Sequence, residues 1–301
     1  MEKLHNKIFK LLDRRMRRRY VAFLVVYDEI YSTYECIKDL SDMYQQAFRL
    51  CLRLKGYFGL AVAVALILEF INDAFSVANG TIVGSVLNWG YLAYISHAAL
   101  LLPDHRDKAK DGVRMVGFSI RLFGLGVLMA LPAIILGVFV FLFSNDLDNV
   151  DARLFVSITI PALLSAILFV LVLASIGTVL PAYVVQSGKG VSAAFRRGMR
   201  TFWNTAAYLL AGPLIFTSIA FIIPFAAVLL FPELLEADHD APQNMWGSIQ
   251  SSVTIFLVRL VANAAYAFAV VMTAWVLSCA FLDALKSEGR DAPLRRGNSP
   301  L

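Results

Sequence analysis

The sequence predicts an all-α, polytopic membrane protein. Six transmembrane helices form three hairpins, each preceded by a basic amphipathic surface helix, and a long cytoplasmic helix stands at the N-terminal end. Three observations predict it. Of 301 residues, 59% are hydrophobic and only 16% charged, far from the balance of a soluble domain. Residues 74–103, 122–145, 154–188, 201–232 and 260–282 each lack Asp, Glu, Lys and Arg, and each is long enough for the roughly 20 residues a helical span requires. The cations fall almost entirely between alternate apolar runs, as the positive-inside bias of membrane proteins demands.

The first region, 1–55, reads as a cytoplasmic amphipathic helical segment. Arg14 to Arg19 resembles the basic start of a signal peptide. The apolar run Tyr20 to Tyr27 is short, however, and leads into Asp28 and Glu29 without a small-residue cleavage site, so this segment is expected to be retained. Within Glu2 to Arg19, Leu4, Ile8, Leu11 and Leu12 share one helical face beside a dense basic flank. That pattern suits an anionic membrane surface or a solvated basic tail. Tyr20, Phe23, Leu24, Tyr27, Ile30, Tyr31, Tyr34 and Ile37 then keep a three-four spacing, so the Tyr20–Ile37 helix needs a partner for its apolar stripe. The partner is the cytoplasmic face of this chain, another protein, or a second copy in a short coiled coil.

The bundle is assigned to 56–282, with spans at about 56–76, 81–103, 122–144, 156–180, 206–231 and 252–282, followed by a cytoplasmic tail at 283–301. The span at 56–76 is the weakest by composition, with 13 uncharged residues before Glu69. Charge placement decides for it. With six spans and a cytoplasmic start, 25 of the 27 Lys and Arg residues lie inside, twelve of them in 1–55, and removing one span would put those twelve outside. The outer connections carry Asp146, Asp148, Asp151, Glu233, Glu236, Asp238 and Asp240 instead. Both termini are therefore expected on the cytoplasmic side of a cell (inner) membrane.

An internal repeat supports the hairpins. AFRLCLRLKGYFGLAVAVAL at 47–66 and GVRMVGFSIRLFGLGVLMAL at 112–131 align without gaps, pairing Arg49 with Arg114 and Phe58-Gly59-Leu60 with Phe123-Gly124-Leu125. AAFRRGMRTFWNTAAYLLAG at 193–212 keeps the basic entry and loses the Phe-Gly-Leu. Each unit reads as a basic surface helix followed by a transmembrane hairpin. In the third unit, Phe195, Met199, Phe202 and Trp203 recur on one helical side and Arg196, Arg197 and Arg200 on the other. Ser192 is expected to cap this helix, and Gly188 and Gly190 to turn the chain into it. Its basic face suits lipid phosphates. The lipid-interface residues are thus Arg49, Arg53, Arg114, Arg121, Arg196, Arg197, Arg200 and Trp203, and the expected partners are membrane lipids, above all anionic ones. A loop helix packed on protein is the alternative.

The stretch LPAYVVQSGKGVSAAFRRGMRTFW at 180–203 resembles the loop between the fourth and fifth spans of the six-helix YciC-like proteins. The membrane domain joined to some glycerophosphodiester phosphodiesterases has a similar loop. The likeness covers about residues 40 to 285 and rests on Pro181, Val184-Val185, a Gly-rich turn, Ala-Phe-Arg-Arg and Trp203. This chain has Gln186 where relatives usually carry an acid, and Gly198-Met199 where they carry Ser then Trp. The resemblance implies an all-helical bacterial membrane protein with no defined activity of its own.

Catalytic and metal-binding patterns are not found. SGKGVS at 187–192 lacks the Gly and the Ser or Thr that a phosphate loop needs around its Gly-Lys. His5, His97, His105 and His239 show no ligand spacing, and Cys36, Cys51 and Cys279 are expected on the reducing side. His97 reads as a packing histidine bonded to a neighbouring helix, with a proton relay as the alternative. No cofactor, metal or nucleic-acid partner is expected. The ionisable groups inside the spans are more informative. Counting from the span ends puts Arg259 level with Glu69, with Asp73, Asn72, Asn88 and Asn263 nearby. Opposite charges at one depth should pair towards the bundle interior. This intramembrane polar cluster is either a structural clasp or a solute or proton site. Two functional readings follow: a non-enzymatic membrane protein that binds lipid or a protein partner in envelope organisation or regulation, and a small-solute or ion transporter or channel using an outer-leaflet polar cluster.

Overall fold

The computed structural model of the chain describes residues 40–75, 78–102, 112–143, 150–187, 190–230 and 245–287. The chain divides into two compact units, Met1–Gln46 and Ala47–Leu301. In the first, residues 40–46 are described and are helical; the Tyr20–Ile37 stripe, the Glu2 to Arg19 segment, the acidic loop 233–240 and most of the 283–301 tail lie outside the described residues.

The second unit is all-helical among its described residues. We number its helices α1 (47–53), α2 (Lys55–Phe75), α3 (Ala78–Leu101), α4 (Gly112–Phe143), α5 (Val150–Ile176), α6 (Val179–Val184), α7 (Val191–Leu209), α8 (Ile215–Leu230) and α9 (Met245–Ser287). A π-helical turn, Leu210–Leu214, joins α7 to α8 and contains Pro213. Proline cannot donate to the helical ladder, so the widened turn absorbs it without ending the helix. Sequence neighbours pack as pairs: α2 on α3, α4 on α5, and α8 on α9.

Five segments are long and apolar enough to cross a membrane: Lys55–Phe75, Gly112–Leu142, Thr159–Ile176, Val191–Ala227 and Val253–Ser287. The segment with Glu69 and Asp73 is among them. The uncharged α3 is not, because Asn88, Trp89, Ser96 and His97 lower its hydropathy. Its position explains its composition. Residues Leu92 to Ala99 are buried in an unbroken run, and α3 packs on α2, α4, α6 and α9. Over that run α3 is covered by protein, while Ile82, Val83 and Leu87 nearer its start stay exposed, so the helix has no single apolar face along its length to present to lipid.

Glycines let two crossings close tightly. A Cβ on Gly198 of α7 would stand 2.0 Å from the Ser175 carbonyl oxygen of α5, and one on Gly90 of α3 would stand 2.3 Å from Ser119 Oγ of α4. By contrast Gly59 and Gly124, equivalent in the internal repeat, face open space.

Three details depart from the sequence reading. The basic entry at 112–121 is not a separate surface helix but the first part of α4, since nothing between it and the span interrupts the ladder. The entry at α1 is likewise nearly continuous with α2, because Leu54 and Phe58 keep the i→i−4 bonds across the break. The cap of α7 is Gly190, in an extended conformation, and Ser192 lies inside the helix. The sharp turn after α6 falls at Gln186, whose φ is 59°. Bonds from Ser187 N–H to Ala182 O and from Gln186 N–H to Tyr183 O complete a Schellman closure, a position that usually takes glycine.

Candidate functional site

The clearest concentration of chemistry joins α2 to α9. Glu69 and Asp73 are one turn apart on α2, as are Arg259 and Asn263 on α9, so each helix presents two polar side chains on one face. Arg259 Nη1 donates a hydrogen bond to Asp73 Oδ2. Arg259 Nε faces Glu69 Oε2 at 3.8 Å. Asn263 Nδ2 donates to Glu69 Oε1 at 2.9 Å and to the Arg259 carbonyl at 2.9 Å. The level matching of Arg259 with Glu69, argued from span ends, thus brings the two together, with Asp73 as the direct hydrogen-bond acceptor.

The two other asparagines do not join this network. Asn72 Oδ1 accepts from Thr81 Oγ1 at 3.5 Å, close to the α2–α3 connection. Asn88 Nδ2 donates to the Ala61 carbonyl at 2.8 Å, two turns below Glu69 on α2. The physical reason is the short α2–α3 connection: α3 starts at Ala78, so Asn88 runs deeper past α2 than a start at 81 implies. Nor does the cluster turn wholly into the protein. The side chains of Arg259, Glu69 and Asp73 keep 36%, 42% and 50% of their exposure.

They line a cavity of about 870 Å³. Thr81, Ser85, Trp89, Ala93 and His97 recur every fourth residue down the α3 wall, a stripe about 24 Å long at 1.5 Å per residue. Phe123 and Val127 of α4, Phe169 of α5, Phe221 of α8 and Tyr266 and Val270 of α9 line it too. Polar groups gather at the α2–α9 end, and most of the remaining lining is apolar. Trp89 meets Tyr266 edge to face, with centroids 4.9 Å apart. At the far end His97, fully buried, shares a 2.8 Å hydrogen bond between its Nδ1 and Ser278 Oγ on α9. This is the interhelical bond expected of a packing histidine. Phe123, Val127 and Phe221 line the cavity yet are 52%, 41% and 71% exposed, so it opens sideways between helices. The opening follows from packing: α5 rests chiefly on α4 and α7, and α8 chiefly on α9.

The basic residues sort into three environments. Arg49, Arg53, Arg196 and Arg200 are exposed, as is Trp203. Arg114 is half-buried; Arg121, also half-buried, lies over the Tyr183 ring at 4.0 Å and donates to the Gly117 carbonyl at 2.8 Å. Arg197 is buried, with its guanidinium 5.3 Å from the Phe281 ring centre. Arg197 therefore does not share a surface with Arg196 and Arg200. The face α7 exposes is instead mixed, with Phe195, Met199 and Trp203 beside Arg196 and Arg200. One step along a helix is a turn of about 100°, enough to separate Arg197 from its neighbour.

Among the described residues, no three His, Cys, Asp or Glu side chains gather as a metal ion requires. Burial pushes the Cys51 thiol up to about 12, which keeps it protonated and poorly nucleophilic near neutral pH. Comparisons with protein-family models, with curated proteins and with solved structures give no match.

Proposed function

We propose that this chain is a non-enzymatic, multi-pass protein of the bacterial cell membrane that binds lipid within its helical bundle. Six spans in three hairpins, α2–α3, α4–α5 and α7/α8–α9, with cytoplasmic termini, form the frame of this reading. The pairwise packing and the uncharged, 24-residue α3 support it, since a helix of that length reaches about 36 Å, more than the hydrocarbon core. The resemblance to YciC-like proteins is in keeping with this frame.

The observation that carries the function is the cavity: charged at one end, apolar along the rest, and open sideways towards where acyl chains would lie. That is the shape of an amphiphile site, and its volume falls within the roughly 300–1,000 Å³ of small-molecule sites. The mixed face of α7 supplies a second lipid contact, with Arg196 and Arg200 at phosphates and Phe195 and Trp203 among chains.

Native mass spectrometry of the full chain, released from membranes in a mild detergent, tests the cavity. Tightly held lipid is expected, reduced by filling the cavity with Val86→Trp while α7 is left untouched. Equal lipid retention in the two proteins refutes the cavity as the site. Solute or ion flux through sealed vesicles holding the purified chain would move the assignment to transport.

A further inference from the structure

The end of the cavity carries an excess of one negative charge, from Glu69 and Asp73 against Arg259. Its acceptors are unevenly used. Asp73 Oδ2 takes the Arg259 hydrogen bond and Glu69 Oε1 takes that of Asn263. Glu69 Oε2 is screened from solvent and accepts no hydrogen bond, with Arg259 Nε still 3.8 Å away. A buried carboxylate oxygen in this condition costs free energy that a donor from a ligand would recover. Such a donor must bring positive charge, because the site already holds two anions and one cation.

We infer that this site selects phospholipids with a primary-amine headgroup: the ammonium binds between Glu69 and Asp73, the phosphate lies towards Arg259, and the acyl chains enter the apolar cavity. A primary ammonium offers three N–H donors to the carboxylates. A trimethylated head offers none, and a head bearing only net negative charge meets like charge at Glu69 and Asp73. Arg259 keeps N–H groups beyond the one given to Asp73, and a planar guanidinium suits a phosphate. The 24 Å stripe on α3 matches most of the roughly 30 Å thickness of the hydrocarbon core, so an acyl chain can lie along it. This selectivity rests on the cavity reading above.

The test offers the full chain, in detergent, equal amounts of phosphatidylethanolamine, its N-methyl, N,N-dimethyl and N,N,N-trimethyl forms, and phosphatidylglycerol, all with identical acyl chains. Bound species are counted by native mass spectrometry. The unmethylated lipid is expected to exceed the trimethylated one on the order of tenfold, as the loss of one charge-assisted hydrogen bond gives, with a graded fall through the series. Glu69→Gln should collapse that ratio towards one while total lipid is kept. Retained lipid without headgroup preference, a preference for phosphatidylglycerol, or an undiminished ratio in folded Glu69→Gln overturns the inference and leaves the cavity reading standing. If lipid is retained equally with and without Val86→Trp, the cavity reading itself fails. The methylation series needs no variant, so it decides the matter even where Glu69→Gln does not fold.

Discussion

Arg259 and Gly198 show what single residues decide here. Among the described residues Arg259 is the sole cation beside two carboxylates, and reversing it would set three negative groups together. Arg259→Glu is therefore expected to lower stability on the order of 3 kcal/mol, the cost of an uncompensated charge inside a span. Adding Asp73→Arg should restore part of the loss, which thermal unfolding of both proteins in lipid nanodiscs measures; a harmless single reversal would show that the charges do not interact. Gly198 is held by backbone, since its Cβ position meets the Ser175 carbonyl. Gly198→Ala should cost more than the roughly 1–3 kcal/mol of ordinary overpacking, because backbone must move, and a Tm within a degree of the parent would contradict this crossing. The level pairing of Arg259 with α2 was legible from the sequence because charges in a span must find each other and helical rise is fixed. The deeper place of Asn88 was not, because an uncharged amide sets no such constraint and the length of a turn is not written in hydropathy.

At the scale of elements, α7 and α3 carry the lessons. The exposed Arg196 and Arg200 and the buried Arg197 separate two roles that composition alone merges. Replacing Arg196 and Arg200 with Gln should reduce retention of anionic lipid, by about 1 kcal/mol for each charge near the surface at low salt, and leave Tm nearly unchanged. Arg197→Gln should do the reverse, lowering Tm through loss of its buried contacts with little effect on retained anionic lipid. Counting co-purified anionic lipid and thermal unfolding read the two effects separately, and identical behaviour of the variants would refute the division. The alternation of basic and apolar residues on α7 was legible. Its orientation was not, because the face turned inward is chosen by the close crossing at Gly198. For α3, the absence of charge marked a span, whereas the hydropathy that qualifies α2 falls short in α3. The two criteria part company when half of a helix is covered by protein rather than lipid.

For the whole molecule, the placement of 25 of 27 cations predicts cytoplasmic termini. A reporter active only outside the membrane should be silent when fused after Leu301 and active when inserted near Asp240; the opposite result would invert the bundle. Helical class and the apolar segments were legible because lipid constrains composition so strongly. The cavity was not, since it arises from the divergence of α5 and α8, which are far apart along the chain and share no sequence signal. The buried half of α3 also bears on how the protein is made. Ser278, which bonds His97, lies 181 residues further along, so at about 5–20 residues per second its codon is read roughly 9–36 s later. Through that delay His97 and the rest of the Leu92–Ala99 run lack the α9 surface that later covers them. Translation that stops short of α9 therefore leaves His97 without its Ser278 partner and that run of α3 without part of its cover.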